Sequence, residues 1–303
     1  MSTALQITLP GAQFPDNFPR IYPDPLMSEG SLLLFDAINS LGAGVPENDD
    51  ILTNIAYQPA SAIVAGDEAT LSPVWYQHSS VAGTESDYHF LERTSKGGIH
   101  AGFSWETIFT LGGRWMGFMI PQAIRDHVFA NTPGRQFYVS MIMRATRQAG
   151  SSSRDVMTAG QIGSTTSARS FVLRTGYTDE ASIVSVSGGG RFVKNYPDAG
   201  SIIDLVPQLQ AGWFSNWYGT KPGSPPAGGN SNVGWGSRGP WGSTYLGEMP
   251  SWILYRFYIE DLFVSGRTGE QVAAADLAKF NADFGEGGRF ADDTFSDPLL
   301  VKP

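Results

Sequence analysis

The 303-residue sequence predicts an all-β protein, an antiparallel β-sandwich with one short C-terminal helix and extended terminal arms. Three observations lead there. Short apolar or alternating stretches recur at spacings of roughly 8–12 residues with Gly/Ser-rich turns between them, the rhythm of a sandwich or barrel. The composition has 36 Gly and 19 Pro but only 16% charged residues, which supplies many turns and few long solvated helices. Near the C-terminus, Trp252–Phe284 reads as one long strand, a break and a helix.

Residues 1–30 form the N-terminal arm. Pro10, Pro15, Pro19, Pro23 and Pro25 are interleaved with Phe14, Phe18, Ile21 and Tyr22, so the segment cannot donate a regular ladder and favours extended backbone. Its apolar residues distinguish it from a flexible linker, and it is expected to lie in a groove, either on its own body or on a neighbouring subunit. Residues 31–285 are expected to form one sandwich domain. Ser31-Leu32-Leu33-Leu34-Phe35-Asp36 is its first, buried strand. A turn-rich loop follows from Ser40 to Asp50, and Ile51–Ser104 has poor periodicity, suited to short strands and long loops. Arg114–Ile120 reads as a strand buried on both faces.

The clearest alternation is Phe137–Arg144, with an apolar odd face and Tyr138, Ser140 and Arg144 on the even face. Further strands are expected at Ser170–Thr175, Ser182–Ser187, Arg191–Tyr196 and Ser201–Leu205. Residues 211–247 are Gly-rich, aromatic and poor in charge, and read as long loops. In the closing strand the odd residues Ile253, Tyr255, Phe257 and Ile259 are large, and the phase slips after Glu260-Asp261, which predicts a bulge or a strand covered on both faces. Thr268-Gly269-Glu270-Gln271 has capping-box spacing. Ala273, Leu277, Phe280 and Phe284 form one helical stripe, and Gly285 stands where a left-handed cap would go. Residues 286–303 are a polar tail.

Several function classes lack support. The net charge is −9 and no Lys/Arg run occurs, so a phosphate-neutralising footprint for nucleic acid is missing, and adhesion to anionic lipid is disfavoured. With no cysteine, disulfides, thiolate chemistry and cysteine-ligated zinc are excluded. Neither a Sec-type leader nor a membrane-length apolar run is visible, so synthesis in a cytoplasm without membrane insertion is expected. His78, His89, His100 and His127 make no His-x-x-x-His pair, and no nucleophile elbow, P-loop or strand-linked dinucleotide fingerprint occurs. Trp213, Trp217, Trp235 and Trp241, with Tyr245, are the candidate binding surface, because exposed aromatic faces stack on sugars or anchor protein interfaces. Closure of one end of the core would explain the same residues.

The passage Tyr258-Ile259-Glu260-Asp261-Leu262-Phe263-Val264-Ser265-Gly266-Arg267-Thr268, followed by Glu270-Gln271-Val272, resembles the closing motif of concanavalin A-like (laminin-G-like) jelly rolls. Leu32–Asp36 with Asn54-Ile55-Ala56 is similar to the opening of such domains in tailed-bacteriophage virion proteins. The resemblance implies a jelly roll over residues 31–285 whose first and last strands pair. It also implies a virion location, with other virion proteins and further copies of the chain as partners and a host-surface glycan as a further ligand. Glycosidases of this fold need two carboxylates on one strand face. Glu85 and Asp87 share a face, but Glu92 has the opposite parity, and Glu260 and Asp261 are adjacent, so no catalytic residues are assigned. Many lectin-like sandwiches hold calcium with loop oxygens. Glu47, Asp49 and Asp50 are the candidates here, and a solvated acidic loop explains them equally well.

Overall fold

The computed structural model describes residues 24–42, 44–77, 89–104, 115–150, 158–165, 168–198, 201–202, 204–236 and 248–298. In chain order the elements are β1 (Ser31–Asp36), α1 (Tyr57–Ile63), β2 (Val74–Gln77), β3 (His89–Arg93), β4 (Ile99–Phe103), β5 (Trp115–Met119), α2 (Gln122–Asn131), β6 (Phe137–Arg147), β7 (Thr158–Thr165) and β8 (Ala168–Arg174). They continue as α3 (Glu180–Ile183), β9 (Val184–Val186), β10 (Arg191–Asn195), β11 (Pro207–Phe214), β12 (Ser231–Gly236), β13 (Ser251–Asp261), α4 (Leu262–Ser265) and α5 (Gly269–Phe284).

Two antiparallel sheets make a β-sandwich. The seven-stranded sheet has the order β10-β11-β6-β13-β4-β3, with β1 also on β13. The six-stranded sheet has the order β2-β5-β12-β7-β8-β9. Strand β13 is the axis of the larger sheet. Strand β6 runs along one side of it, while the other side is shared between β4, opposite Trp252–Leu254, and β1, opposite Arg256–Glu260. The first and last strands are therefore neighbours.

The apolar parity of β6 faces the sandwich core, where Phe137, Val139, Met141 and Met143 meet Phe118, Ile162, Phe171 and Val233 from the other sheet. The opposite face of the larger sheet is covered as well. Helix α5 lies on it, burying Val272 and Ala273 against Tyr138, Tyr258 and Leu34, and Phe280 and Phe284 against Tyr255, Ile253 and Phe290. All eleven residues of β13 are buried.

The closing strand departs from simple parity. Its register shifts between Leu254 and Arg256, placing a bulge at Tyr255, earlier than the predicted slip. Trp252 and Leu254 face the core, Ile253 and Tyr255 face the helix, and after the bulge Phe257 and Ile259 face the core. The single large-residue parity expected for this strand is thus split between two cores. The predicted slip beyond Asp261 is a helical turn, α4, capped by the Asp261 carboxylate at the amides of Phe263 (3.0 Å) and Val264 (3.3 Å).

The capping box at α5 forms, with Thr268 N donating to Gln271 Oε1 (2.9 Å) and Gln271 N to Thr268 Oγ1 (3.2 Å). Gly285 is extended (φ −67°), and the left-handed glycines beside α4 and α5 are Gly266 and Gly287. Alongside this sixteen-residue helix the described residues form α2 and three short α-helices, which the sequence did not predict. Of the expected strand at Ser201–Leu205, the described residues 201–202 and 204–205 are not strand, and the tract read as loops contains the end of β11 and all of β12. Glycine misled that reading: Gly117 and Gly234 sit opposite each other in the ladder, and a Cβ on Gly234 would lie 2.2 Å from the Met116 carbonyl oxygen. Close strand approach requires glycine there.

Candidate functional site

The larger sheet's outer face gathers most of the buried charge. Glu260, fully buried, accepts from Arg267 Nε (2.9 Å) and Nη2 (2.5 Å), Ser28 Oγ (2.9 Å) and Tyr258 Oη (2.9 Å). Tyr258 Oη also pairs with Ser31 Oγ at 2.7 Å. A two-pronged Arg–carboxylate pair with further donors is the geometry in which a buried ion pair offsets its desolvation. Here it ties β1, β13 and the α4–α5 turn together.

Asp261 points the other way. Its Oδ2 accepts from His127 Nε2 (2.9 Å) and Arg135 Nη1 (3.0 Å), fixing α2 and the turn after it to the end of β13. Burial pushes the Asp261 carboxyl up, but the His127 and Arg135 bonds outweigh it and hold the group below the usual carboxylate value. Adjacency thus separates these two carboxylates onto different partners. Each is consumed by structural bonds.

A second set of buried charges lies under α5. Arg256 donates to Asp24 Oδ1 at 2.7 Å, and Asp276 accepts from Tyr138 Oη at 3.0 Å. Burial pushes the Asp276 carboxyl up despite the Arg256 guanidinium nearby. Sequence reasoning missed this pair. Its signals were present: Arg256 interrupts a strand of large apolar residues, and Asp276 interrupts the helix's buried stripe.

The candidate aromatic surface is dispersed by the fold. Trp235 is 1% exposed, stacks on Trp252 at 4.2 Å between centroids and donates to the Trp252 carbonyl (2.8 Å). It is core, the alternative reading of this residue. Trp217 is 6% exposed and packs edge-on against Phe129 at 5.8 Å. Trp213 is half-buried on the outer face of the larger sheet, where a Cβ on Gly190 or Gly269 would come within 2.2 Å of its ring. That close fit explains a glycine in the first turn of α5. Trp241 and Tyr245 lie outside the described residues, as do His78, Glu85, Asp87 and residues 1–23. Among the described residues the exposed aromatics are instead Tyr218 (46%), whose ring stacks on the Arg169 guanidinium at 4.2 Å, and Phe263 (69%), stacked on Arg135 at 4.8 Å.

The acidic loop does not converge on a cation. Asp50 Oδ2 accepts from Glu47 N (2.7 Å), and Asp49 Oδ2 from Asn48 Nδ2 (2.8 Å), so these carboxylates order their own turn. Among the described residues no group of three His, Asp or Glu is placed to hold a metal ion. An open groove of about 470 Å³ runs beside α2 and β5, lined by Val74, Met119, Ile120, Ala123, Arg125 and Asp126. The Arg125 guanidinium is engaged by backbone, donating to the carbonyls of Ile120 (2.9 Å) and Pro226 (2.5 Å).

Both ring nitrogens of His100 are paired. Its Nδ1 pairs with Glu92 Oε1 at 2.7 Å and its Nε2 with Thr146 Oγ1 at 2.8 Å. Burial lowers its pKa despite Glu92. Comparison with protein-family models, curated proteins and solved structures finds no match for this chain.

Proposed function

We propose that this chain is a non-catalytic structural subunit of a tailed-bacteriophage virion: a tail, fibre or capsid-decorating component with a concanavalin A-like jelly-roll body. It works through protein–protein assembly, with other virion proteins and further copies of itself as partners, and host-surface attachment as an added role. One observation carries the reading. The closing motif that suggests the family, Glu260-Asp261 with Arg267, is spent on locking strands and helices together. The pairing of β1 with β13, and sheets of seven and six strands, support the jelly-roll assignment. The Pro-rich arm before Asp24 supports assembly, since extended apolar segments suit grooves of neighbouring subunits.

Light scattering on the purified chain and mass spectrometry of purified particles test the proposal. A defined homo-oligomer and presence in particles are expected. A monomer that is absent from particles overturns it.

A lectin-like adhesin is the second reading, favoured by Tyr218, exposed on one side and backed by Arg169. A glycan array separates the two: binding abolished by Tyr218→Ala, with oligomeric state unchanged, favours recognition.

A further inference from the structure

The segment that follows α5 turns back across the outer face of the larger sheet. Its root is firmly held. Arg289 pairs with Asp36 (2.6 Å) and Asp283 (2.9 Å), and Phe290 is buried against Tyr255 and Phe284, with ring centroids 4.6 and 5.4 Å away. Beyond Phe290 the attachments change in kind. Asp293 accepts from Ser95 Oγ (3.1 Å), Lys96 N (2.8 Å) and Tyr255 Oη (2.9 Å). Ser95 and Thr294 exchange two bonds, Ser95 N to the Thr294 carbonyl and Thr294 N to Ser95 Oγ, each 2.9 Å. Ser296 donates through its amide (2.8 Å) and hydroxyl (2.6 Å) to Glu92, the carboxylate that also holds His100. Phe295 is half-exposed and lies edge-on to the His100 ring at 5.0 Å.

The tip is therefore held by polar bonds to two carboxylates and by one half-exposed ring, Phe295, set between His100 and the Arg144 guanidinium at the edge of the outer apolar cluster, without an apolar core of its own. Segments with few buried apolar contacts open locally while the body stays folded. We propose that residues 291–298 form a releasable strap, clasped to the β3–β4 hairpin by Glu92, His100 and Asp293, and that acid opens the clasp while the sandwich remains folded. Opening uncovers the His100 ring and the Tyr255 hydroxyl.

The groups facing His100 are Glu92 from β3, Arg144 and Thr146 from β6, and Asp293 from the strap; Asp293 also meets Tyr255 from β13. The sign follows from them. Burial lowers the His100 pKa, so the closed state keeps the imidazole neutral and the hydrated, open state takes up a proton more readily. Burial raises the Glu92 carboxyl, but the Ser296 and His100 bonds outweigh it, so the closed state favours the carboxylate. Both groups bind protons better when the strap is lifted, and falling pH favours opening. The effect starts below the ordinary imidazole value, about 6.5, and is completed as Glu92 is protonated.

Hydrogen exchange with mass spectrometry on the full chain, read as protection factors between about pH 7.5 and about pH 4.5, tests this. Peptides covering 291–298 are expected to lose protection by about tenfold or more, while β6 and β13 peptides keep theirs. Ser296→Ala, on the exposed strap, removes one clasp donor without touching the sheet and is expected to move opening to higher pH. Glu92→Gln is expected to leave the strap open at neutral pH. A strap that stays protected throughout, a strap and β13 that lose protection together, or a Ser296→Ala protein that matches the parent each overturns the proposal.

Discussion

The two faces of the seven-stranded sheet are both buried, but by different chemistry. The inner face is a continuous apolar core, with Trp252, Leu254, Phe257 and Ile259 of β13 meeting Trp235, Phe118 and Phe171. The outer face is a mosaic in which aromatic rings alternate with Glu260, Arg256, Asp276 and Arg267 under a single helix. Shape holds the inner face. Ion pairs and hydrogen bonds hold the outer one, with Arg256 Nε and Nη1 and Asp276 Oδ1 left without a hydrogen-bond partner among the described residues, and each further group left unmatched there carries a desolvation cost. Inner-face damage should scale with volume, and outer-face damage with the charge left unpaired.

The largest expected effect is on the inner face. Trp235→Ala opens a hole beside Trp252 and Trp75 and should cost about 3–5 kcal/mol of unfolding free energy in a denaturant titration. A loss below about 1 kcal/mol would mean that the two sheets are not held by this stack.

Arg256→Met is expected to come next, at about 3 kcal/mol, because Asp24 loses the guanidinium it pairs with and the fully buried Asp276 loses a nearby cation. The double change Arg256→Met/Asp24→Leu should recover part of that loss, since it replaces both members of the ion pair by apolar side chains. A double variant as unstable as the single one would show that packing, and not charge pairing, is what Arg256 contributes.

Glu260→Gln keeps the volume but gives up the two-pronged partner of Arg267, for an expected loss of about 1.5–3 kcal/mol. The same substitution should speed exchange at the β1–β13 pairing, and unchanged protection of Ser31–Asp36 would contradict the role given to this carboxylate. The smallest effect is expected at the helix terminus that covers the mosaic. Thr268→Ala removes one half of the capping box, and thermal unfolding should report about 1 kcal/mol.

Much of the fold was legible where periodicity is unambiguous. Phe137–Arg144 lies within β6 and its apolar parity is the core parity, while Ser31–Asp36 and the capping box at Thr268 form as their patterns predict. Residues 211–247 were not legible. Trp213 and Gly212 lie in β11 and Trp235 in β12, yet glycine and serine there mimic a loop because close strand approach demands small residues. The aromatic tract suggested one surface, and the structure sends Trp235 to the core, Trp217 against α2 and Trp213 beneath the start of α5. The polar residues that hold the outer face, Asp24, Glu92, His100, Asp276 and Asp293, carry no mutual spacing in the sequence. Their partners come from strands and helices far away along the chain.

The sequence by itself determined that the chain is mostly β, that Thr268 starts a helix, and that Glu260 and Asp261 cannot serve one site, because alternation, capping and adjacency are local properties of the backbone. Only the tertiary structure decided that β13 is covered on both faces, that its bulge falls at Tyr255, and that the closing motif is a lock of buried ion pairs. Those outcomes depend on which distant elements arrive on each side of the strand, and a one-residue bulge reverses every side chain beyond it.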